Sequence, residues 1–422
     1  MFYVNINAKG LAIVIIIAGG AVVAAYNFGV NQASKQQTAT APTASVPAAK
    51  QQTAAVAPNQ SLLPQQGGGV SVNHPPANAP QFTHFQIGNR NVKGMLADGD
   101  DIWVGTSGGA IRYSLKTQDY KVYDVNNHSL ISNGVFKLSK LKGHIMVGTY
   151  GGGLSVYDPE KDSWKNYNIP NGLADQFVYD IAQDEKGNFW IATWSGANFV
   201  AGGNMDDPKA WKTFTVESTK GGLPNDWVYG VEIGKNGDIW FATEGGLARL
   251  DKDQKWTNWQ HEAGLGAPYE KVKDDIAFTN DPAQASKHHA MQKAEQGLGN
   301  VKVGYNPNYI VSMVVDDSGI VWCGTWGGGL SRFDGKTWQT YTTKEGLPGN
   351  HVFMLQKTKD GKLWIGTNKG LARFNDQGSG FKVLTKQDGL YADNVFSMAE
   401  ADDGSVWVGS FGGVARLSNY NL

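Results

Sequence analysis

The chain of 422 residues carries 54 glycines, only 18% charged residues and a formal net charge of -1. That balance argues against a nucleic-acid partner, because phosphate contacts need a basic excess. One cysteine, Cys323, excludes an intramolecular disulfide and a cysteine-based zinc cage; within Trp322-Cys323-Gly324-Thr325 it reads as a small buried residue of a strand.

Residues 11–28 form an uncharged apolar run with Lys9 just before it. Its length approaches the ~20 residues that cross a bilayer as a helix. The positive charge on its N-terminal side places the short N-terminus in the cytoplasm. Residues 1–30 are therefore expected to form a transmembrane anchor. The alternative is a cleaved signal peptide with Val23-Ala24-Ala25 as its small-residue site. Under both readings the remainder is exported, on a single-pass anchor in a bacterial inner membrane with the rest in the periplasm or extracellular. Residues 31–79 are rich in Gln, Ala, Thr, Pro and Ser, with Lys35 and Lys50 as their charges. Such a segment buries too little apolar surface to offset its ordering entropy and is expected to be a disordered tether. As a flexible coil of roughly 50 residues it would reach about 40 Å.

Residues 80–422 are repetitive. A phrase typified by Asp238-Ile-Trp-Phe-Ala-Thr recurs around Trp103, Met146, Trp190, Trp240, Trp322, Trp364 and Trp407, at spacings of 43, 44, 50, 82, 42 and 43. The long gap holds no further copy and reads as an insertion at about 262–304. Each unit reads as four short strands. The second carries the Trp phrase and the third follows a Gly pair, as in Gly245-Gly-Leu-Ala-Arg-Leu. The fourth carries two aromatics three apart, such as Trp164 and Tyr167 or Trp256 and Trp259. Four strands at a period near 43 predict an all-β, seven-bladed β-propeller of four-stranded blades. The last unit stops after its third strand, whereas a stray fourth strand with Phe82 and Phe85 precedes the first. The ring is expected to close by pairing that N-terminal strand with the final blade, which covers edges that would otherwise invite aggregation.

These units resemble the two-component-regulator propeller repeats of periplasmic sensor proteins. The likeness rests on the Trp phrase, the Gly pair followed by Leu-x-Arg, and links such as Glu345-Gly-Leu-Pro. It implies a sensory propeller. Sensors of that family typically add more propeller, a β-sandwich, a second span and a kinase; none of these is expected here, so signalling would need a partner.

The residue in each short Thr-x-Gly turn is expected on one face of the ring. It is aromatic in four units, at Tyr150, Trp194, Trp326 and Phe411. Phe177, Trp227 and Tyr309, beside the first strands, are expected at the same mouth. An exposed aromatic ring there would suit stacking on a sugar, a peptide or an aromatic ligand; the competing reading is that the rings pack between blades. Arg112, Arg249, Arg332, Arg373 and Arg416 recur at one third-strand position and read as structural, pairing with a neighbouring blade's Asp or carbonyls.

In the insertion, Asn280-Asp281-Pro282 signals a helix start, with Gly297 as the stop. Few apolar positions, and His288, His289, Lys287 and Lys293, predict a solvated helix overhanging the aromatic face as a lid or docking element. Adjacent histidines, ~100° apart on a helix, are poorly placed to grip one metal. No cofactor, metal site or catalytic motif is expected, and the acidic turns at Asp316 and Asp402 read as ordinary hairpins. The leading reading is a membrane-tethered module that recognises a protein partner or small ligand. The alternative is a propeller-type lyase or hydrolase with a site in the central funnel, for which His351 and Glu244 are the candidates.

Overall fold

A computed structural model describes residues 81–276, 281–375 and 380–418. The expected anchor and tether lie outside these residues. Among those described, no helix is long and apolar enough to cross a membrane.

The Trp phrase forms the most buried strand of its sheet: Phe189–Thr193 and Ile239–Thr243 are buried at every position. Such strands are apolar on both faces because a sheet packs against each side of them. Six of the seven phrases end in a threonine, for a specific reason. Its hydroxyl donates to the carbonyl of the turn glycine, as in Thr193 to Gly196 and Thr243 to Gly246, both at 2.8 Å. The same glycines tie one sheet to the next. Gly109, Gly153, Gly196 and Gly329 donate their N–H to Asn133, Gln176, Asp226 and Asn350, which precede the following sheet, at 2.7–2.9 Å. Gly196 holds a φ of 108°, and a Cβ there would overlap the Phe214 carbonyl oxygen. Only glycine fits.

The aromatic pairs of the fourth strands pack onto the Trp phrases. Phe214 stacks on Trp190 at 5.8 Å and Trp259 on Trp240 at 5.6 Å. The recurrent arginines lie over the tryptophans of their own sheets, Arg249 at 5.6 Å from the Trp240 ring and Arg416 at 5.5 Å from Trp407. Arg112 and Arg416 also pair with Asp101 and Asp403 of the same sheet, each at 2.6 Å. Their role is structural, as expected, but their partners lie within one sheet and not across two. Asp316 is likewise an ordinary turn residue: it accepts from Ser318 and Ile320 N–H and from the Trp322 indole. Cys323 is fully buried, and burial pushes its thiol well above the usual range.

The described sheets form an all-β propeller, but the expected seven four-stranded blades are corrected. Five four-stranded sheets stand apart, and the chain's two ends make one continuous six-stranded sheet. The N-terminal strand, Gln81–Asp98, pairs through Gln81–Gln86 with Gly413–Ser418 and through Val92–Asp98 with Asp101–Thr106. The C-terminal strand, Val406–Ser418, also runs unbroken, because Asn91 pairs opposite Phe411 where other units have a turn. Phe85 stacks on Trp407 at 5.0 Å, as the fourth-strand aromatics do elsewhere. The N-terminal strand thus joins the last unit, but it fuses two expected blades instead of completing one.

Replacing Gly196 with Ala should lower the unfolding free energy by about 3 kcal/mol, through backbone strain and overlap. Gly202 has a φ of 58° with open space around it. Its Ala variant should lose only about 1 kcal/mol. Equal losses in urea titrations would refute this account of the turn.

Candidate functional site

Each turn residue lies between two neighbours. Its N–H donates to the residue before its own first strand: Tyr150 to Gly134, Trp194 to Phe177, Glu244 to Trp227. On its other side it meets the corresponding residue of the next sheet, as bridges join Tyr150 to Phe177 and Trp326 to His351. Aromatic side chains at these alternating positions therefore interlock. Tyr150 meets Phe177 at 4.5 Å, Phe177 meets Trp194 at 4.6 Å, and Trp194 meets Trp227 at 4.6 Å, all edge to face. Tyr309 stacks on Trp326 at 5.7 Å, and Trp326 meets the His351 ring at 5.0 Å.

The arc would break at Glu244, where the turn carries a carboxylate. The insertion fills that place. A four-residue helix, Pro282–Ala285, is capped by Asp281, and a second, Lys287–Glu295, ends before Gly297 at a φ of 72°. His288 stacks on Trp227 at 3.8 Å, and His289 meets the edge of Trp227 at 4.7 Å and stacks on Tyr309 at 6.0 Å. The Nδ1 of His289 hydrogen-bonds the fully buried Glu244 carboxylate. Burial lowers the pKa of His288, opposed by Glu244.

The helix is not solvated as expected, since His289 and Lys293 are buried. Lys293 pairs with Asp281 at 2.6 Å and donates to the Val303 carbonyl at 2.7 Å. Both partners satisfy an ammonium that burial would otherwise penalise. The insertion has its own small core of Ala267, Val272 and Tyr305. Lys271 holds Glu345 at 2.9 Å, tying it to the next link.

Six of the seven aromatic candidates are thus brought together; Phe411 stands apart within the continuous C-terminal strand, 43% exposed. Tyr150, Phe177 and Trp194 are half-buried. Trp227, Tyr309 and Trp326 are only 7%, 2% and 3% exposed, so the expected open ring is closed over that half. The catalytic candidates are likewise engaged. His351 is buried with Nε2 on the Gly304 carbonyl at 2.5 Å, and burial lowers its pKa to about 4. Among the described residues no group of three or more His, Cys, Asp or Glu side chains could hold a metal.

Beneath the arc, the first strands line an axial cavity of about 820 Å³. Phe136, Tyr179, Tyr229, Phe353 and Phe396 occupy one recurring position, directly after a valine, and in the first unit that position is Lys93. Burial lowers the Lys93 amine to about 7. Lys137 pairs with Asp180 at 2.7 Å and, against burial, stays above its ordinary pKa. Burial, reinforced by Asp180, lifts Glu232 to about 7. These channel residues are absent from the expected site. The repeated Val-aromatic pair marked them, with Lys93 as the one charged exception.

Three stretches, residues 172–195, 222–245 and 346–369, match the two component regulator propeller family. The fold defines a β-propeller, and in those three stretches its units are similar to two component regulator propeller repeats. A comparison with curated protein sequences finds no significant match. Among solved structures, the chain is similar to the extracellular domain of a putative hybrid two component system from B. thetaiotaomicron, at 19% identity and a TM-score of 0.61. The match covers 80% of this chain and 41% of that one, so the chain spans about two fifths of that neighbour. Streptogramin B lyase gives 13% identity and a TM-score of 0.55 over 80% of this chain and 97% of its own. Virginiamycin B lyase from Staphylococcus aureus gives 10% and 0.53 over 80% and 99%. Identities this low carry the fold alone.

Two outcomes follow from the site's charges. Replacing Glu244 with Ala should release the insertion and speed tryptic cleavage after Lys287 and Lys293 severalfold; unchanged cleavage would show that Glu244 does not hold it. Glu232, with a folded pKa above its unfolded one, favours folding fully below about 4.5 and loses that contribution as pH rises through 7. Between those values the wild type should lose up to about 3 kcal/mol relative to Glu232→Gln, read from unfolding midpoints at each pH. Parallel pH curves would contradict it.

Proposed function

We propose that this propeller is a recognition module of the cell envelope, sensory or scaffolding in role and without catalytic activity. Residues 1–30 anchor it in the inner membrane, residues 31–79 tether it, and residues 80–422 stand in the periplasm. The observation that carries the proposal is the interlocked aromatic arc. Its Tyr150, Phe177 and Trp194 end remains half-exposed, although the turns require only small or polar residues there. Half-open rings held rigid by their neighbours present apolar area at little entropic cost, as recognition surfaces do. The buried end, under the insertion, serves as its foundation. A protein partner is the favoured occupant, since the open rings form a ledge and not an enclosed pocket.

The lyase or hydrolase reading has less support. Two similar folds are lyases by name, but Glu244 and His351 are each buried against a partner and face no open space that the geometry identifies.

Affinity purification from solubilised membranes tests the interface. Trp194→Ala should reduce recovery of the bound partner at least tenfold, the effect of losing about 1.4 kcal/mol at an interface anchor. Its unfolding midpoint should change little. Trp326→Ala should instead cost about 3 kcal/mol of stability, as a buried aromatic does. Full recovery with the Trp194 variant would move the interface elsewhere.

A further inference from the structure

Five lysines line the axial cavity: Lys93, Lys137, Lys140, Lys357 and Lys359. Four have carboxylate partners. Lys137 pairs with Asp180 at 2.7 Å, Lys140 with Asp98 at 2.5 Å, Lys357 with Asp317 at 2.5 Å and Lys359 with Asp402 at 2.6 Å. Lys93 has none among the described residues; its ammonium lies 3.9 Å from the centre of the Phe396 ring. A cation–π contact returns only part of what burial removes from an ammonium. The low pKa of this amine has the same origin, burial with no opposing charge.

A second polar group stands open beside it. Asn91, two residues away on the same strand and only 6% exposed, lines the same cavity with its amide oxygen unpaired. Because the two ends of a side-chain amide exchange by a flip, Asn91 can turn an N–H donor toward an incoming acceptor. An ammonium and an amide on one wall, among aromatic rings, form a receptor that lacks its anion.

We propose that the axial cavity binds a small aromatic carboxylate, with its carboxylate on Lys93 and Asn91 and its ring among Phe396 and Phe353. The volume falls in the range of small-molecule sites, roughly 300–1,000 Å³. Glu232 lines the same cavity, but its charge is set against Lys137 and Lys357, so Lys93 is the cation left to match a monoanion; a phosphate dianion would need a further cation or more donors. The flat body follows from the first-strand rings, which offer π faces along the wall. This proposal uses residues of the channel and not the face, so it stands or falls separately from recognition at Trp194.

Isothermal titration of the full chain in detergent with phenylacetate, benzoate and indole-3-acetate tests it. At least one acid should bind, and its neutral amide should bind at least tenfold more weakly. Lys93→Met, which keeps an unbranched apolar stem and removes the charge, should weaken the acid at least tenfold and leave the amide unchanged. The comparison of acid with amide needs no variant, so a Lys93→Met protein that fails to fold leaves the test intact. Equal binding of acid and amide, no binding of any acid at 10 mM, or tighter binding of inorganic phosphate would each overturn the proposal. Retained acid binding in a folded Lys93→Met protein would do the same.

Discussion

The structure depends on a hydrogen bond that a single backbone conformation makes possible. At Gly109, Gly153, Gly196 and Gly329 a left-handed turn aims an N–H at the chain entering the next sheet. The preceding threonine closes the same turn from within. Strand pairing holds each sheet together, and these bonds, with the packed faces and ion pairs such as Lys137–Asp180, fix one sheet against another. They also place the turn residue between two first strands. The aromatic arc is a consequence of that placement, because a ring put there, such as Trp194, meets the rings that the two flanking first strands supply.

Glu244 shows what happens when the pattern is interrupted. A carboxylate at that position would leave a buried charge and a gap between Trp227 and Tyr309. The insertion answers both needs at once: His289 bonds the carboxylate, and the two imidazoles stand where a ring is missing. A helix with few apolar residues can dock in this way because its polar groups find buried partners, Lys293 with Asp281 as much as His289 with Glu244. The result closes one half of the aromatic face and leaves the other half accessible.

The same ring that displays aromatics outward encloses a channel whose walls carry charge. Asp180 serves Lys137 there, and its negative charge adds to the burial that keeps Glu232 protonated up to about 7. Lys93 sits at a position filled by a ring in five other units. Five rings, Val311 and this one cation share the position, and the cation changes the interior from a filled core toward a selective one.

Much of this was legible in the repeat. The Trp phrase, the glycine pair and the paired aromatics each describe a strand by its own burial, and Phe82 with Phe85 announced that the N-terminal strand belongs to the last unit. The turn residues Tyr150, Trp194 and Trp326 could be placed on one face, because a turn's location follows from strand order. Three things could not be read. The fusion of two expected blades into one sheet depends on Asn91 lying opposite Phe411, residues 320 apart. The burial of His289 depends on a glutamate from a different unit. The exposure of a ring depends on what covers it. Local pattern determines strands and turns, since their hydrogen bonds and alternating faces involve near neighbours. Where sheets merge, which rings stay open and which lysine lacks a partner are decided by contacts that exist only after the ring has closed.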